Sequence, residues 1–400
     1  MGRIYCVLMA LILAAILAAA TVEAQWVYVA MYILPTDIEV ATLEVLEDSG
    51  YIVVGTRNLS RGSTPLIVLD TNLSEVDRYE LLKADSILAV DYYNGLLAAA
   101  ALYGNDTNVY VINMTEGVIL GVYTISSFGG PDYAVYPVSI GISGSYIFVV
   151  VEDWYDNRYY LYIIDKDITS VEYKPLAPFA KVKRIENTGY LVFWNGTSNI
   201  SVIDGSLGTL YEVASIDLGL VDLHHIDAVL DPSSNVLYIA YSNGSGTFFT
   251  RYLMGATEPT YTIKIEYDIM EITDVSLAGR DVYVTTIGGY GYRIVNPESP
   301  SIVKEAIPKN AYGYYYGSEF IYAALGSAVY KYSLTIKTET VTKTVTKTVT
   351  ETQIIEEVET ETVTTTTTVG GPYTETDVFI IGAICFVLGI SIAFLVWRRT

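Results

Sequence analysis

From Gln25 to Leu334 the chain consists of short runs of β-branched and aromatic residues, with almost no helical periodicity. Gly, Asn, Asp or Pro breaks these runs about every eight to twelve residues, which predicts an all-β domain. The runs also recur in pairs. Tyr51–Gly55 goes with Leu66–Asp70, Leu97–Leu102 with Val109–Asn113, Tyr146–Val151 with Leu161–Asp165, and Tyr190–Trp194 with Ile200–Asp204. Weaker copies are Val236–Tyr241 with Thr250–Leu253, Val282–Thr286 with Tyr292–Asn296, and Phe320–Ala324 with Val329–Tyr332. Seven copies at roughly 36 to 52 residues match the period of four-stranded propeller blades. The opening run Trp26–Ile33 has no copy of its own. It is expected to supply the fourth strand of the last blade and so protect the terminal edges. The expected fold is therefore a seven-bladed β-propeller closed by its N-terminal strand. A tandem of β-sandwiches is the alternative the same pattern allows.

One repeat carries a family resemblance. Residues 190–216, YLVFWNGTSNISVIDGSLGTLYEVASI, have an apolar strand ending in Asn, a polar turn, a strand ending V-I-D and a third apolar strand. This resembles the YVTN-type propeller repeat of surface-layer and cell-surface proteins, and Val282–Thr286 is similar to its namesake. The resemblance is clear over one blade and faint over the others. It implies fold more than function, because that family includes surface-layer proteins and lactonase-like enzymes.

The two ends of the chain read differently. Residues 1–24 carry Arg3, an apolar stretch Ile4–Thr21 and the small-residue site Val22-Glu23-Ala24, the pattern of a secretory signal peptide. An uncleaved N-terminal anchor is the other reading. Val378–Trp397 is an uncharged apolar run followed by Arg398 and Arg399. A helix of that length spans about 30 Å, and the arginines favour a cytoplasmic C-terminus, residues 398–400. Between domain and anchor lies a Thr-rich spacer, residues 335–377, with Thr at every even position from Thr338 to Thr352. Strict period two suits an extended chain, which at full stretch reaches about 140 Å. The spacer reads as a solvated, O-glycosylated stalk. Pairing between stalks, as a coiled coil or as strands, would instead make a homo-oligomer. Spacer and anchor resemble those of archaeal envelope proteins.

Cysteine and charge narrow the setting. The only cysteines, Cys6 and Cys385, lie in the signal segment and the apolar run, so no disulfide staples the domain. The formal charge of −22 argues against a nucleic-acid partner. Charged residues are 17% of the chain against 36 tyrosines, so tyrosine and small polar residues are expected to clothe the surface.

Seven of the domain's asparagines stand in N-x-Ser/Thr sequons: Asn58, Asn72, Asn105, Asn113, Asn195, Asn199 and Asn243. In an exported protein these are N-glycosylation acceptors, though Asn-x-Ser is also ordinary turn chemistry. The only histidines fall in Asp222-Leu-His224-His225-Ile-Asp227. This segment is expected in the fifth blade's innermost strand, facing the channel. Two imidazoles and two carboxylates can hold a metal or act as acid and base. Adjacent side chains on a strand point to opposite faces, however, which favours a structural role. Asp153–Asn157, Asn105–Asn108 and Asp165–Asp167 are oxygen-rich turns that suit calcium or simply close a hairpin. Tyr312, Tyr314, Tyr315 and Tyr316 form an aromatic cluster that can stack on sugars or a protein, as can Tyr92-Tyr93 and Tyr159-Tyr160. Half-core packing is the alternative for all of them.

No G-x-S-x-G, H-E-x-x-H, Walker loop or nucleophilic cysteine is present. The expected function is therefore non-catalytic: a membrane-anchored cell-surface glycoprotein, with ectodomain outside, binding envelope proteins or glycans and needing no cofactor. The competing expectations are an exported, metal-assisted propeller hydrolase or lyase, and a membrane-tethered solute receptor.

Overall fold

Leu97–Ala101 shows why apolar residues here run continuously instead of alternating. Ala98 and Ala100 pack with Val109 and Val111 on one side of their sheet. Leu97, Ala99 and Ala101 pack with Tyr110 and Ile112 on the other. A strand covered on both faces keeps its period of two but leaves no position for water.

A computed structural model describes residues 25–335, apart from 47–48, 59–62, 186–187, 196–198, 218–222, 257 and 316–319. The signal segment, the apolar run 378–397, residues 398–400 and the spacer beyond Thr335 lie outside the described residues. Among the described residues no helix is long and apolar enough to cross a membrane.

Among the described residues all regular structure is β. After β1 (Gln25–Ile33), the strands β2 (Ile38–Leu46), β3 (Tyr51–Asn58), β4 (Thr64–Asp70) and β5 (Glu75–Leu81) form a first meander. A second runs β6 (Ser86–Tyr93), β7 (Leu96–Tyr103), β8 (Asp106–Asn113) and β9 (Val118–Ile125), and pairs with the first at Arg57 opposite Ser86. The third is β10 (Val135–Ser143), β11 (Tyr146–Asp153), β12 (Arg158–Asp165) and β13 (Val171–Leu176). The fourth is β14 (Lys181–Arg184), β15 (Tyr190–Trp194), β16 (Asn199–Asp204) and β17 (Tyr211–Asp217). The fifth is β18 (Leu223–Asp231), β19 (Val236–Asn243), β20 (Gly246–Leu253) and β21 (Tyr261–Glu266). The sixth is β22 (Ile272–Ala278), β23 (Asp281–Thr286), β24 (Tyr290–Val295) and β25 (Ser301–Ala306). The last meander, β26 (Ala311–Tyr315), β27 (Phe320–Leu325) and β28 (Ala328–Thr335), takes β1 as its fourth strand. Thr335, expected in the spacer, instead ends β28.

The first strand of each meander packs against the first strand of the next. The series β2, β6, β10, β14, β18, β22, β26 returns to β2. Apolar clusters fill the gaps between neighbouring sheets, including the gap where the last meets the first. There Tyr322, Ala324 and Val329 meet Leu43, Ile52 and Val54. Among the described residues the sheets therefore follow one another around a common axis, with their first strands innermost.

Candidate functional site

The first strands share an irregularity that the sequence pattern does not announce. Pairing with the second strand slips by one residue in β2, β6, β10, β18, β22 and β26. The unmatched residues are Ala41, Leu88, Val138, His224, Thr273 and Tyr312. A bulge bends the strand and re-aims side chains. Leu88, Val138, Thr273 and Tyr312 line a pocket of about 210 Å³ between the first strands.

Three residues past the bulge, β2, β6 and β18 carry Glu44, Asp91 and Asp227; Glu44 and Asp91 line this pocket with Lys183 of β14, and Asp227 lies behind them, in contact with Lys183. Asp91 accepts from its neighbour Tyr92 N at 2.8 Å and, across the sheet gap, from Ile142 N at 2.7 Å. Asp227 repeats the arrangement with Ala228 N and Val275 N, both at 2.8 Å. Arg184 Nε donates to Asp91 at 3.0 Å. Lys183 Nζ lies 3.0 Å from Asp227 and 3.3 Å from Glu44, and donates to Thr273 O at 3.4 Å. Two adjacent cations of β14 thus tie it to strands of the first, second, fifth and sixth meanders. In β10 the equivalent position is Gly141, where a Cβ would stand 3.3 Å from Arg184 N and 2.9 Å from Leu191. The absent side chain lets β14 come close.

Burial raises Asp91 and Asp227 above the usual carboxylate range, against the pull of Arg184 and Lys183 respectively. Burial also opposes the Lys183 charge, but Asp227 and Glu44 outweigh it and hold the ammonium firmly protonated. Glu44 is pushed up to about 7, chiefly by burial.

Higher in the pocket, Lys181 donates to His224 O, and His225 and Glu271 line the same space. Burial, then Lys181 and His224, pull the His225 imidazole down to about 4.

These two shifts give opposite pH responses. Between about 4.5 and 7 the folded chain keeps a proton on Glu44 that the unfolded chain releases, so this group's contribution to stability falls as pH rises. Between about 4 and 6.5 the unfolded chain binds a proton on His225 that the folded chain refuses, so this contribution rises with pH. Glu44→Gln is expected to raise the melting temperature above pH 7 and change it little near pH 4.5. His225→Gln is expected to do the reverse. Calorimetric melts at the two pH values check this, and equal shifts at both would contradict it.

A second feature lies at the edge of the third meander. Phe128, Tyr133, Trp154, Tyr155 and Tyr173 are each between 42% and 55% exposed, unusually high for aromatic residues. Their rings touch or share neighbours. Tyr136 and Trp154 are 4.5 Å apart, Tyr133 and Tyr155 5.0 Å, Phe128 and Tyr160 4.9 Å, and Phe128 and Tyr173 5.5 Å. The buried Asp153 fixes the loops beneath them. It accepts from Ser127 Oγ at 2.6 Å, Phe128 N at 2.9 Å and Tyr155 N at 3.0 Å. Gly129 is required, since a Cβ there would lie 2.2 Å from Tyr155 and 2.8 Å from Tyr133. Val135, at the start of β10, pairs with Asp153 at the end of β11. These loops therefore open at the end where the first strands begin, which is also the end carrying Lys181.

The residues singled out from sequence fall in several places. His224, His225 and Asp227 lie on β18, the first strand of the fifth meander, and Asp222 lies outside the described residues. The Asp227 carboxylate is engaged by Lys183 and two backbone amides rather than directed to His225. Among the described residues no group of three or more His, Cys, Asp or Glu is placed to hold a metal. Several acceptors of the oxygen-rich turns are taken by the chain itself, although Asp156 uses only Oδ2, on Tyr160, and its buried Oδ1 has no hydrogen bond among the described residues. Besides Asp153, Asp165 binds Thr169 through both backbone and hydroxyl, and Asn108 bridges Lys83 O and Thr124.

Tyr312 lines the axial pocket and Tyr314 and Tyr315 belong to β26, while Tyr316 lies outside the described residues. Tyr159 and Tyr160 are buried in the core. Among the sequons, Asn72, Asn105, Asn195 and Asn199 are exposed and Asn58 and Asn113 half-buried. Asn243 is buried, with its Oδ1 accepting from Ser245 N and Oγ. Sequence reasoning missed Lys181, Lys183, Arg184 and the exposed aromatic array.

No protein-family model matches the chain, and no curated protein matches its sequence. Solved structures do match. The β-propeller domain of Myceliophteria thermophila Cps50 (Swd1) is 11% identical with a TM-score of 0.52, the match covering 78% of this chain and 100% of that one. The Dos1 propeller is 13% identical with a TM-score of 0.48, covering 74% of this chain and 77% of that one. At such identities the likeness is one of fold, and this chain has an all-β, β-propeller fold.

Proposed function

We propose that this chain is a non-catalytic, cell-surface binding protein. In this reading it is a seven-bladed propeller exported by residues 1–24, carried on the Thr-rich spacer and held by the apolar run 378–397. Its partner is a glycan of the envelope, bound on the aromatic array of the third blade. The observation that carries the reading is the array itself: half-exposed rings in mutual contact on loops fixed by the buried Asp153. Rings with one face open to water present apolar area to the C–H faces of sugars, and loops already ordered lose little entropy on binding. The low share of charged residues fits a neutral partner, and the −22 net charge disfavours a polyanionic one. N-glycans on the exposed Asn72, Asn105, Asn195 and Asn199 fit the same extracellular setting.

The test is binding of the purified chain to envelope polysaccharide. The double substitution Phe128→Ala with Trp154→Ala is expected to weaken binding roughly tenfold or more, since it removes two exposed aromatic contacts. The melting temperature should change little. Undiminished binding by the variant would sink the reading. Retained capture of a surface protein with no affinity for polysaccharide would transfer the array to a protein partner.

A further inference from the structure

The mouth of the axial pocket holds chemistry that adhesion through the aromatic array does not use. Lys181, on β14, and Glu271, just before β22, line it from opposite signs of charge. Burial works against the Lys181 charge and Glu271 favours it. Among the described residues, though, neither takes part in an ion pair, and Lys181 is satisfied only by the backbone carbonyl of His224. An ammonium has three donors, so two remain. The imidazole of His225, the carboxylate of Glu271 and the hydroxyl of Tyr312 make no hydrogen bond to other described residues, and all border this space. The remaining wall is apolar, built from Leu88, Val138 and Ile287. A cation and an anion that face one cavity without meeting leave room for a ligand carrying both charges.

We propose that the axial pocket binds a small zwitterion of the α-amino-acid class. Its carboxylate lies on Lys181, its ammonium is directed to Glu271, and its side chain rests on the Leu88–Val138–Ile287 wall. The size fits, because about 210 Å³ falls below the roughly 300 Å³ at which pockets for drug-sized molecules begin. The charge also fits. A free anion would work against the −22 chain and a free cation against Lys181, whereas a zwitterion carries no net charge and finds a partner for each of its ends. The floor is no competitor for the ligand's carboxylate, since Lys183 and Arg184 are already held by Glu44, Asp227 and Asp91. The proposal stands independently of the aromatic array.

The experiment is calorimetric titration of the full chain in detergent with L-leucine, and with the two half-ligands isocaproate (carboxylate only) and isoamylamine (ammonium only). L-leucine is expected to bind at least tenfold more tightly than either half-ligand. Lys181→Met and Glu271→Gln should each weaken L-leucine binding at least tenfold. Melting curves establish that both variants fold. Glu271 is exposed at the rim, so its variant carries the test if the Lys181 variant does not fold. No heat with L-leucine at millimolar concentration, a half-ligand binding as tightly as L-leucine, or unchanged affinity in Glu271→Gln would each overturn the proposal.

Discussion

Replacing Lys183 with Met should cost the domain about 3–5 kcal/mol of unfolding free energy, the usual result of stripping one partner from a buried ion cluster. Met keeps most of the apolar stem, one atom shorter, and removes the ammonium with its charge and donors. Asp227, almost wholly buried, would lose its cation at 3.0 Å, and Glu44 its cation at 3.3 Å. Both carboxylates would then have to protonate or remain buried and uncompensated. The same ammonium also reaches Thr273 O, so three strands around the axis lose a shared partner. Urea denaturation at neutral pH measures the loss. Adding Asp227→Asn and Glu44→Gln to Lys183→Met should recover most of it, because the penalty lies in the orphaned charges rather than in lost packing. A loss below about 1 kcal/mol, the size of an exposed ion pair, would contradict the picture of an axial clamp.

Replacing residues 25–33 with a Gly-Ser linker of equal length should produce the second large effect. Without β1, the last sheet keeps three strands and β28 becomes a free edge. Trp26 would leave the cluster it shares with Ile321 and Tyr332, and Tyr28 would no longer pack edge-on against Tyr330 and Tyr332. An open, aromatic strand edge is a template for association with other chains. The melting temperature is expected to fall by roughly 10 °C or more, with light scattering during the melt. An unchanged, reversible melt would show that β1 does not hold the ring closed.

The sequence displays this fold unevenly, for a physical reason. Every pair of apolar runs read from the chain lands on the second and third strands of a meander. Tyr51–Gly55 and Leu66–Asp70 lie in β3 and β4, and Val282–Thr286 and Tyr292–Asn296 fall on β23 and the end of β24 with its turn. Those strands are covered by sheets on both faces, so burial writes itself into continuous hydrophobicity. The outer strands, such as β13 with its Glu172 and Lys174, are half wet and leave a weak signal. The first strands are hardest to read. They are buried yet carry Glu44, Asp91, Lys183, Arg184 and Asp227, and their bulges break strict alternation. Lys181-Val-Lys-Arg184 reads as a solvated charge run until the ring closes and places it beside three acids. His224 and His225 lie on the first strand of the fifth meander, but of the two only His225 lines the axial pocket, a difference that the His-His pair does not announce. The exposed aromatics were not. Trp154-Tyr155 sits among Asp153, Asp156 and Asn157 and looks like a calcium turn, whereas Asp153 serves to hold the rings. Contacts between Phe128, Tyr160 and Tyr173 join residues of three strands and loops that no local pattern links.

The position of β28 also decides how the domain bears mechanical load. This strand is flanked by β27 on one side and β1 on the other, and the chain leaves it at Thr335. Tension applied beyond Thr335 pulls along a strand bonded on both sides. Its two ladders must then slip together in shear, instead of peeling one bond at a time from an edge. Because the other flank is β1, a pull on the C-terminal side loads the same seam that joins the last strand to the first.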